Sequence, residues 1–217
     1  MDGNGRWATR QGLPRLAGHR KGIENVERIA GALLQRAVTF MTIYMFSTEN
    51  WKRPKEEVDG IFALLAGWLE EAGPRMRAAG IRFRHFGRRE PLPTALLGAL
   101  DVTCGAADAD GGLLLGLAIN YGGRAEIVDA IKGALSQVSA GGVDERSVAD
   151  GLYTAGVPDP DLVVRPGGEL RLSNFMLWQA AYAELYFSPV LWPDVDEGEL
   201  DRALSAYAER HRRFGGL

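Results

Sequence analysis

The stretch Asp161–Phe187, DLVVRPGGELRLSNFMLWQAAYAELYF, decides how this chain is read. It opens on a short apolar run, Leu162–Val164, which reads as a buried strand. Arg165-Pro166-Gly167-Gly168 breaks that strand. Arg171 follows, then Ser173 and Asn174, either of which suits the cap of a helical turn. An aromatic-rich segment leads to Glu184 and a second β-prone run, Leu185–Phe187. In an α/β sheet, ligands gather beyond the carboxyl ends of strands. Two arginines, a hydroxyl and glycine backbone at such a place suit a phosphate or diphosphate, because the guanidinium fork matches phosphate oxygens. A turn carrying solvated arginines accounts for the same residues, so other stretches must decide.

Working outward, apolar runs alternate with helical periodicity. Phe40–Phe46 is a continuous β-prone run that ends at Ser47-Thr48-Glu49-Asn50-Trp51-Lys52-Arg53-Pro54, a polar cluster at a strand's carboxyl end. Ala17–Arg36 has helical spacing at Ile23, Val26, Ile29, Ala30, Leu33 and Leu34, with His19 near its start as a surface or capping residue. Pro54 and the acids Glu56–Glu57 open another helix that runs to about Ala79. Its apolar face, including Val58, Ile61, Phe62, Leu65, Trp68 and Leu69, forms core or walls a hydrophobic cavity. Ile81–Phe86 is a strand carrying a structural His85, a helix is expected around Pro93–Ala107, and Leu113–Asn120 is a strand. Tyr121-Gly122-Gly123-Arg124 then starts a helix over Ala125–Val138. Strand, glycine turn and helix also suit a nucleotide, but G-x-G-x-x-G is absent. Ser147–Ala155 and Glu197–Arg210 read as further helices. This alternation implies one α/β domain over residues 1–217, with a mostly parallel central sheet flanked by helices.

Whole-chain properties narrow the function. A length of 217 residues suffices for a real core, and 46% hydrophobic with 24% charged residues is ordinary for a globular protein. The net charge of −3 disfavours a nucleic-acid partner, while arginines beside glycines suit a local anionic ligand. The single Cys104 excludes an internal disulfide and suits a reducing compartment, with the thiol read as packing. No apolar run reaches membrane-spanning length and no signal peptide is visible. At the start, Asp2-Gly3-Asn4-Gly5-Arg6-Trp7 is dense in turn formers. A calcium-loop reading fails at Arg6, Trp7 and Leu13, leaving an ordinary turn or a diphosphate cradle in which Asp2 can hold a magnesium ion.

Three stretches together carry a specific resemblance. MDGNGRWA with RLAGH, FSTENWKRPKEEV, and RPGGELRLSNFMLWQAAYAELYF are similar to the signatures of the cis-prenyltransferases, the undecaprenyl diphosphate synthase family; NYGGRAEI and the terminal RRFGG also resemble it. The order holds along essentially the whole chain. The resemblance implies an enzyme that condenses isopentenyl diphosphate onto an allylic diphosphate such as farnesyl diphosphate, with magnesium. It implies a cytoplasmic homodimer with a six-stranded sheet, a hydrophobic tunnel, and at most peripheral membrane contact through the lipid product. On matching positions, Asp2 is the essential acid near magnesium, and Gly3, Asn4, Gly5, Arg6 and Trp7 form the primer's diphosphate loop, assisted by Arg15 and His19. Ser47, Thr48, Glu49, Asn50, Trp51 and Arg53 border the reacting carbons, with Asn50 a candidate in proton removal and Glu57 on the segment that follows. Arg165, Arg171, Leu172 and Ser173 take the diphosphate of isopentenyl diphosphate, and Glu184 matches a second magnesium ligand. Arg213 and Gly215 match a motif that reaches the partner's site in dimers.

Two departures from the family pattern stand out. An apolar strand normally precedes the Asp loop, yet only Met1 precedes Asp2, so either the start lies upstream or the sheet has one strand fewer. Pro166 replaces a usual Thr, which removes a hydroxyl and a backbone donor and holds Arg165 extended. A non-catalytic subunit that stabilises an active partner is the competing reading. It is weakened because Asp2, Asn50, Arg165 and Arg171 are all retained.

Overall fold

A computed structural model describes residues 1–105, 112–137 and 142–210. Its centre is β3 (Leu113–Tyr121), flanked in parallel by β1 (Phe40–Ser47) and β2 (Ile81–Phe86) in the order β1-β3-β2. β3 is apolar at nearly every position because both of its faces are covered. Leu113, Leu115, Leu117 and Ile119 face one cluster, where they meet Ile23, Val26, Ile29 and Leu33 of α2 (Arg15–Gln35) and Ile61, Leu65, Leu69 and Met76 of α3 (Lys55–Ala78). Ala118 and Tyr121 join a second cluster with Phe86, Val163, Met176 and Ala180. The strand's period of two sorts the side chains as far as Ile119; Asn120, at φ 52°, breaks the alternation and turns Tyr121 to the face of Ala118.

The boundaries follow local chemistry. α3 begins directly after Pro54, whose fixed φ suits a helix entrance, with Glu56 and Glu57 in its first turn and Arg75 and Arg77 in its last. α4 is Thr94–Cys104, and the expected continuation at Ala106–Ala107 lies outside the described residues. α5 (Gly123–Gln137) starts two residues earlier than its periodicity suggests, and Val138 lies outside the described residues. α6 is Glu145–Gly151, stopping short of the expected Ala155, and α7 is Glu197–Ala208. The glycine-rich start is not an open turn: Asn4–Arg10 forms α1, entered through Gly3 in the left-handed region at φ 96°. Gly18 and Gly22 of α2 allow α1 to press close, since a Cβ on either would collide with Asn4.

The sheet departs from the expected six strands. The described residues form five, all in parallel pairings, split between β1-β3-β2 and a separate pair of β4 (Leu162–Arg165) with β5 (Glu184–Phe187). The edge of β1 remote from β3 and the strand β4 both line a cleft of about 810 Å³, and no strand among the described residues lies in it. Met1 borders this space, its N donating to the Tyr44 carbonyl at 3.3 Å. The two sheets are joined instead through side chains of the second cluster, where Tyr44 stacks on Phe175 at 4.7 Å.

Candidate active site

The mouth of the cleft lies at the carboxyl ends of β1 and β4, as expected for an α/β sheet. Arg165 is the last residue of β4. Its guanidinium donates to Asp2 Oδ2 at 2.9 Å and to Ser173 Oγ at 2.7 Å, and it also donates to the Arg171 carbonyl. Arg6, in the first turn of α1, donates to the other Asp2 oxygen at 3.1 Å. Partial burial alone would raise the Asp2 pKa, but Arg165 and Arg6 outweigh it and hold the carboxyl below the usual carboxylate range. A fixed anion thus sits between two cations, with further donors in Ser173 and Arg171. Arg171 is largely exposed and tied to Glu169 at 2.5 Å.

The two glycines after Pro166 serve a different purpose from the expected phosphate contact. Gly167 N donates to the Val190 carbonyl at 2.7 Å and Gly168 N to the Ser188 carbonyl at 2.8 Å, so neither amide is free for a ligand. Gly167 sits at φ 95°, and a Cβ there would lie 2.8 Å from Arg6 Nη2 and 3.3 Å from Asp2 Cβ. Its lack of a side chain makes room for the Asp2–Arg6–Arg165 cluster.

A second cluster forms around Glu57, on the first turn of α3. Glu57 accepts from Arg15 at 3.1 and 3.2 Å and from Arg53 at 3.0 Å, and its Oε1 lies 3.0 Å from His19 Nε2. Burial pushes the Glu57 pKa up, but Arg15, His19 and Arg53 prevail and hold it low. His19 is buried rather than superficial, because α2 packs it beneath α3; burial lowers its pKa against the opposing pull of Glu57. Gly5 lets Arg15 pass, since a Cβ there would touch its guanidinium. Trp7 Nε1 donates to Asp194 Oδ1 at 2.7 Å and pins α1.

Between these clusters runs the 3₁₀ turn Thr48–Lys52. Asn50 Oδ1 accepts from Ser47 N at 3.0 Å, a capping box that orients its side chain toward the cleft mouth it lines. Trp51 Nε1 donates to Asn120 Oδ1 at 2.9 Å, and its ring packs on Phe46 and Phe62. Thr48 Oγ1 and Asn174 Nδ2 both donate to Glu49, at 3.2 and 2.8 Å, and the Glu49 pKa is held low although burial opposes this. Leu172 packs into the second cluster and lines the cleft.

Glu184 is not brought to Asp2. It pairs in register with Leu162 at the opposite end of β4 from Arg165, about 10 Å away along the strand. There it accepts from Arg210 at 2.6 Å. Arg213 and Gly215 lie outside the described residues. No group of three His, Cys, Asp or Glu suited to a metal is found among the described residues. Magnesium is commonly held by one or two carboxylates plus substrate phosphates, so the single ionised Asp2 at the cleft mouth is compatible with it. Sequence reasoning passed over Glu126. It is fully buried and accepts from Tyr121 Oη, from Gln179 Nε2 at 3.1 Å and from Tyr153 N at 3.0 Å; its pKa is raised by burial. Its signal was the helix-start run Gly123-Arg124-Ala125-Glu126, where an acid is ordinarily solvated.

From this polar mouth the cleft runs inward past Ile29, Leu33, Ile43, Met45, Ile61 and Leu204. An arginine-lined polar mouth thus opens onto a cleft with apolar side chains along its walls. Residues 1–215 match the family described as "Putative undecaprenyl diphosphate synthase". The chain is 46% identical over 223 residues to an isoprenyl transferase of Heliobacterium mobile, covering all of this chain and 85% of that protein. It is 44% identical to an isoprenyl transferase of Thermotoga maritima, covering 100% and 94%. The structure of lavandulyl diphosphate synthase from Lavandula x intermedia, in complex with dimethylallyl diphosphate, superposes with a TM-score of 0.95 at 33% identity over 99% of this chain and 95% of that one. A probable undecaprenyl diphosphate synthase from Campylobacter jejuni gives 0.81 at 33% identity over 90% and 92%. The chain belongs to the undecaprenyl diphosphate synthase family. It is an enzyme that transfers prenyl groups.

Proposed function

We propose that the protein condenses isopentenyl diphosphate with an allylic diphosphate, such as farnesyl diphosphate, to give a cis-polyprenyl diphosphate. The observation that carries this reading is the pairing of Arg165 with both Asp2 and Ser173 at the mouth of an apolar cleft. Arg165, Arg171 and Ser173 take the diphosphate of isopentenyl diphosphate, while Arg6, Asn4 and the start of α1 face the primer's diphosphate. Magnesium held at Asp2 would neutralise the leaving diphosphate. The arginines add fixed positive charge where that leaving group develops its own. The Thr48–Lys52 turn holds the reacting carbons in attack geometry, and Asn50, oriented by Ser47, lies where the departing proton passes. The apolar cleft takes the prenyl tail.

Residues 1–217 act as one catalytic unit, working as a cytoplasmic homodimer with no nucleic-acid partner. An exposed apolar stripe on α5, formed by Val128, Ile131 and Leu135, supports an interface. None of the described helices is long and apolar enough to cross a membrane. Purified protein with magnesium, labelled isopentenyl diphosphate and a primer panel of dimethylallyl, geranyl, farnesyl and geranylgeranyl diphosphates tests the reading. Longer prenyl diphosphates are expected. No product from a folded sample with any primer overturns it, and sedimentation at micromolar concentration tests the dimer.

A further inference from the structure

We infer that Asn174 is the positioning residue that sets the anion-binding arm, Arg165–Arg171–Ser173, in register with the Thr48–Lys52 turn. This rests on the function proposed above. Asn174 holds three segments at once. Its Nδ2 donates to Glu49 Oε1 at 2.8 Å, its Oδ1 accepts from Arg124 N at 2.9 Å, and its carbonyl accepts from Gly123 N at 2.7 Å. It therefore caps α5 from a distant part of the chain, not the turn that follows it.

The backbone around it is held away from relaxed geometry. Ser173, Asn174 and Met176 all have positive φ, at 49°, 64° and 45°. Such conformations cost free energy and persist where surroundings enforce them. Asparagine tolerates the left-handed region better than most residues. The facing turn is cut to fit: a Cβ on Gly122 would lie 2.6 Å from Thr48 Oγ1 and 2.8 Å from Asn174 Nδ2, and one on Gly123 would lie 3.2 Å from the Asn174 carbonyl. Ser173, one residue earlier, accepts from Arg165 at 2.7 Å. A shift of Asn174 would carry Ser173 and Arg171 with it, and release Glu49 beside Asn50. The two halves of the reaction, anion capture and carbon–carbon attack, meet through this one side chain.

The test uses Asn174→Gly and Asn174→Asp in the full chain, read by steady-state kinetics and by calorimetric binding of inorganic pyrophosphate. Glycine keeps the left-handed backbone and the Gly123 bond but loses both side-chain bonds, so the variant folds. It is expected to raise KM for isopentenyl diphosphate and lower kcat, with kcat/KM falling about tenfold or more. Aspartate keeps the acceptor for Arg124 but faces Glu49 with a second carboxylate. Its loss of activity is expected to shrink as pH falls and the pair takes up a proton, a pH dependence that a merely structural role would not produce. In a double-mutant cycle with Glu49→Gln, the combined variant is expected to be more active than the product of the two single effects, because the amide donates to the new carboxylate. Wild-type kinetics for Asn174→Gly, a pH-independent loss in Asn174→Asp, or multiplicative effects in the cycle would each overturn the inference. If wild type itself makes no product, the proposed reaction falls. The positioning claim is then judged by pyrophosphate affinity alone: unchanged affinity in Asn174→Gly overturns it, and a severalfold loss sustains it.

Discussion

Arg165 Nη2 and Asp2 Oδ2 lie 2.9 Å apart although 163 positions separate them in the chain. This pair closes the site, because it ties the entrance of α1 to the end of β4. Asp2 is also held by Arg6, so its removal leaves two neighbouring cations at the cleft mouth with no fixed anion between them. Asp2→Ala is expected to lower turnover by about 100-fold or more. The carboxylate is partly solvated, so the melting temperature should move by the equivalent of no more than about 1 kcal/mol. Kinetics alongside thermal denaturation check both, and near-normal turnover would remove Asp2 from the chemistry.

Gly167→Ala probes the same cluster from the backbone side. The residue has φ 95°, and the added methyl would meet Arg6 Nη2 and Asp2 Cβ. The left-handed penalty alone is about 1–2 kcal/mol. The variant is expected to be less stable by that amount and to lose turnover as Asp2 is displaced. Gly168→Ala, with open space except for Pro189 at 3.9 Å, carries the backbone penalty alone. It should lose stability with a smaller loss of turnover, and equal losses in the two variants would deny Gly167 its role.

These relationships mark where the sequence stopped being legible. The strand Ile81–Phe86 is found at its expected ends, because its alternation and flanking glycines are local signals. The opening of α3 at Pro54 was equally readable. The division into two sheets was not, since strand pairing depends on which edges meet across the chain. Glycine–glycine after a strand suggested free amides, but only the fold reveals that Val190 and Ser188 take them up. His19 looked superficial because its partner Glu57 is 38 positions away. Glu184 carried the right residue type, yet register places it at the far end of β4 from Asp2. Asn174 reads as a local cap, and its real targets are Glu49 and Arg124.

His19 supplies a pH prediction. Burial lowers its pKa below the ordinary value of 6.5, so the folded protein prefers the neutral ring and binds fewer protons than the unfolded chain. Its contribution to stability is therefore complete above pH 6.5 and declines as pH falls below that value toward the folded pKa. His19→Gln keeps a donor for Glu57 and cannot titrate. Between about pH 6.5 and 5 the melting temperature of the variant should fall less steeply than that of wild type. Some slope should remain, because His85 is lowered by burial in the same direction. Parallel curves for the two proteins would show that His19 does not titrate on unfolding in this range.

Product length follows from the wall of the cleft. Met45 precedes Phe46 and Ser47 on β1, where the polar mouth gives way to the apolar interior. Strand alternation alone puts Met45 on the face of Ser47, but the register slips here: Tyr44 pairs with Ala118 and Phe46 with Ile119, leaving Met45 outside the ladder. Met45 and Phe46 are consequently both packed in the main core cluster. Met45 still lines the cleft, as does Ile61 from α3, whereas Phe62 and Trp68 do not. Phe62 packs in tilted contact with Phe46 and Trp51, and Trp68 packs edge-on against Phe83. The long thioether therefore narrows the passage just behind the mouth, and a product shorter than undecaprenyl diphosphate is expected. Met45→Ala should lengthen the products and Ile61→Trp should shorten them, as read by chromatography of the dephosphorylated chains. Deleting a buried methionine costs about 2–5 kcal/mol, toward the lower end where one side opens on a cleft, so the assay belongs well below the melting temperature of the variant. A wild type that already makes undecaprenyl chains, or variants with unchanged length distributions, would show that the passage at Met45 does not limit the growing tail.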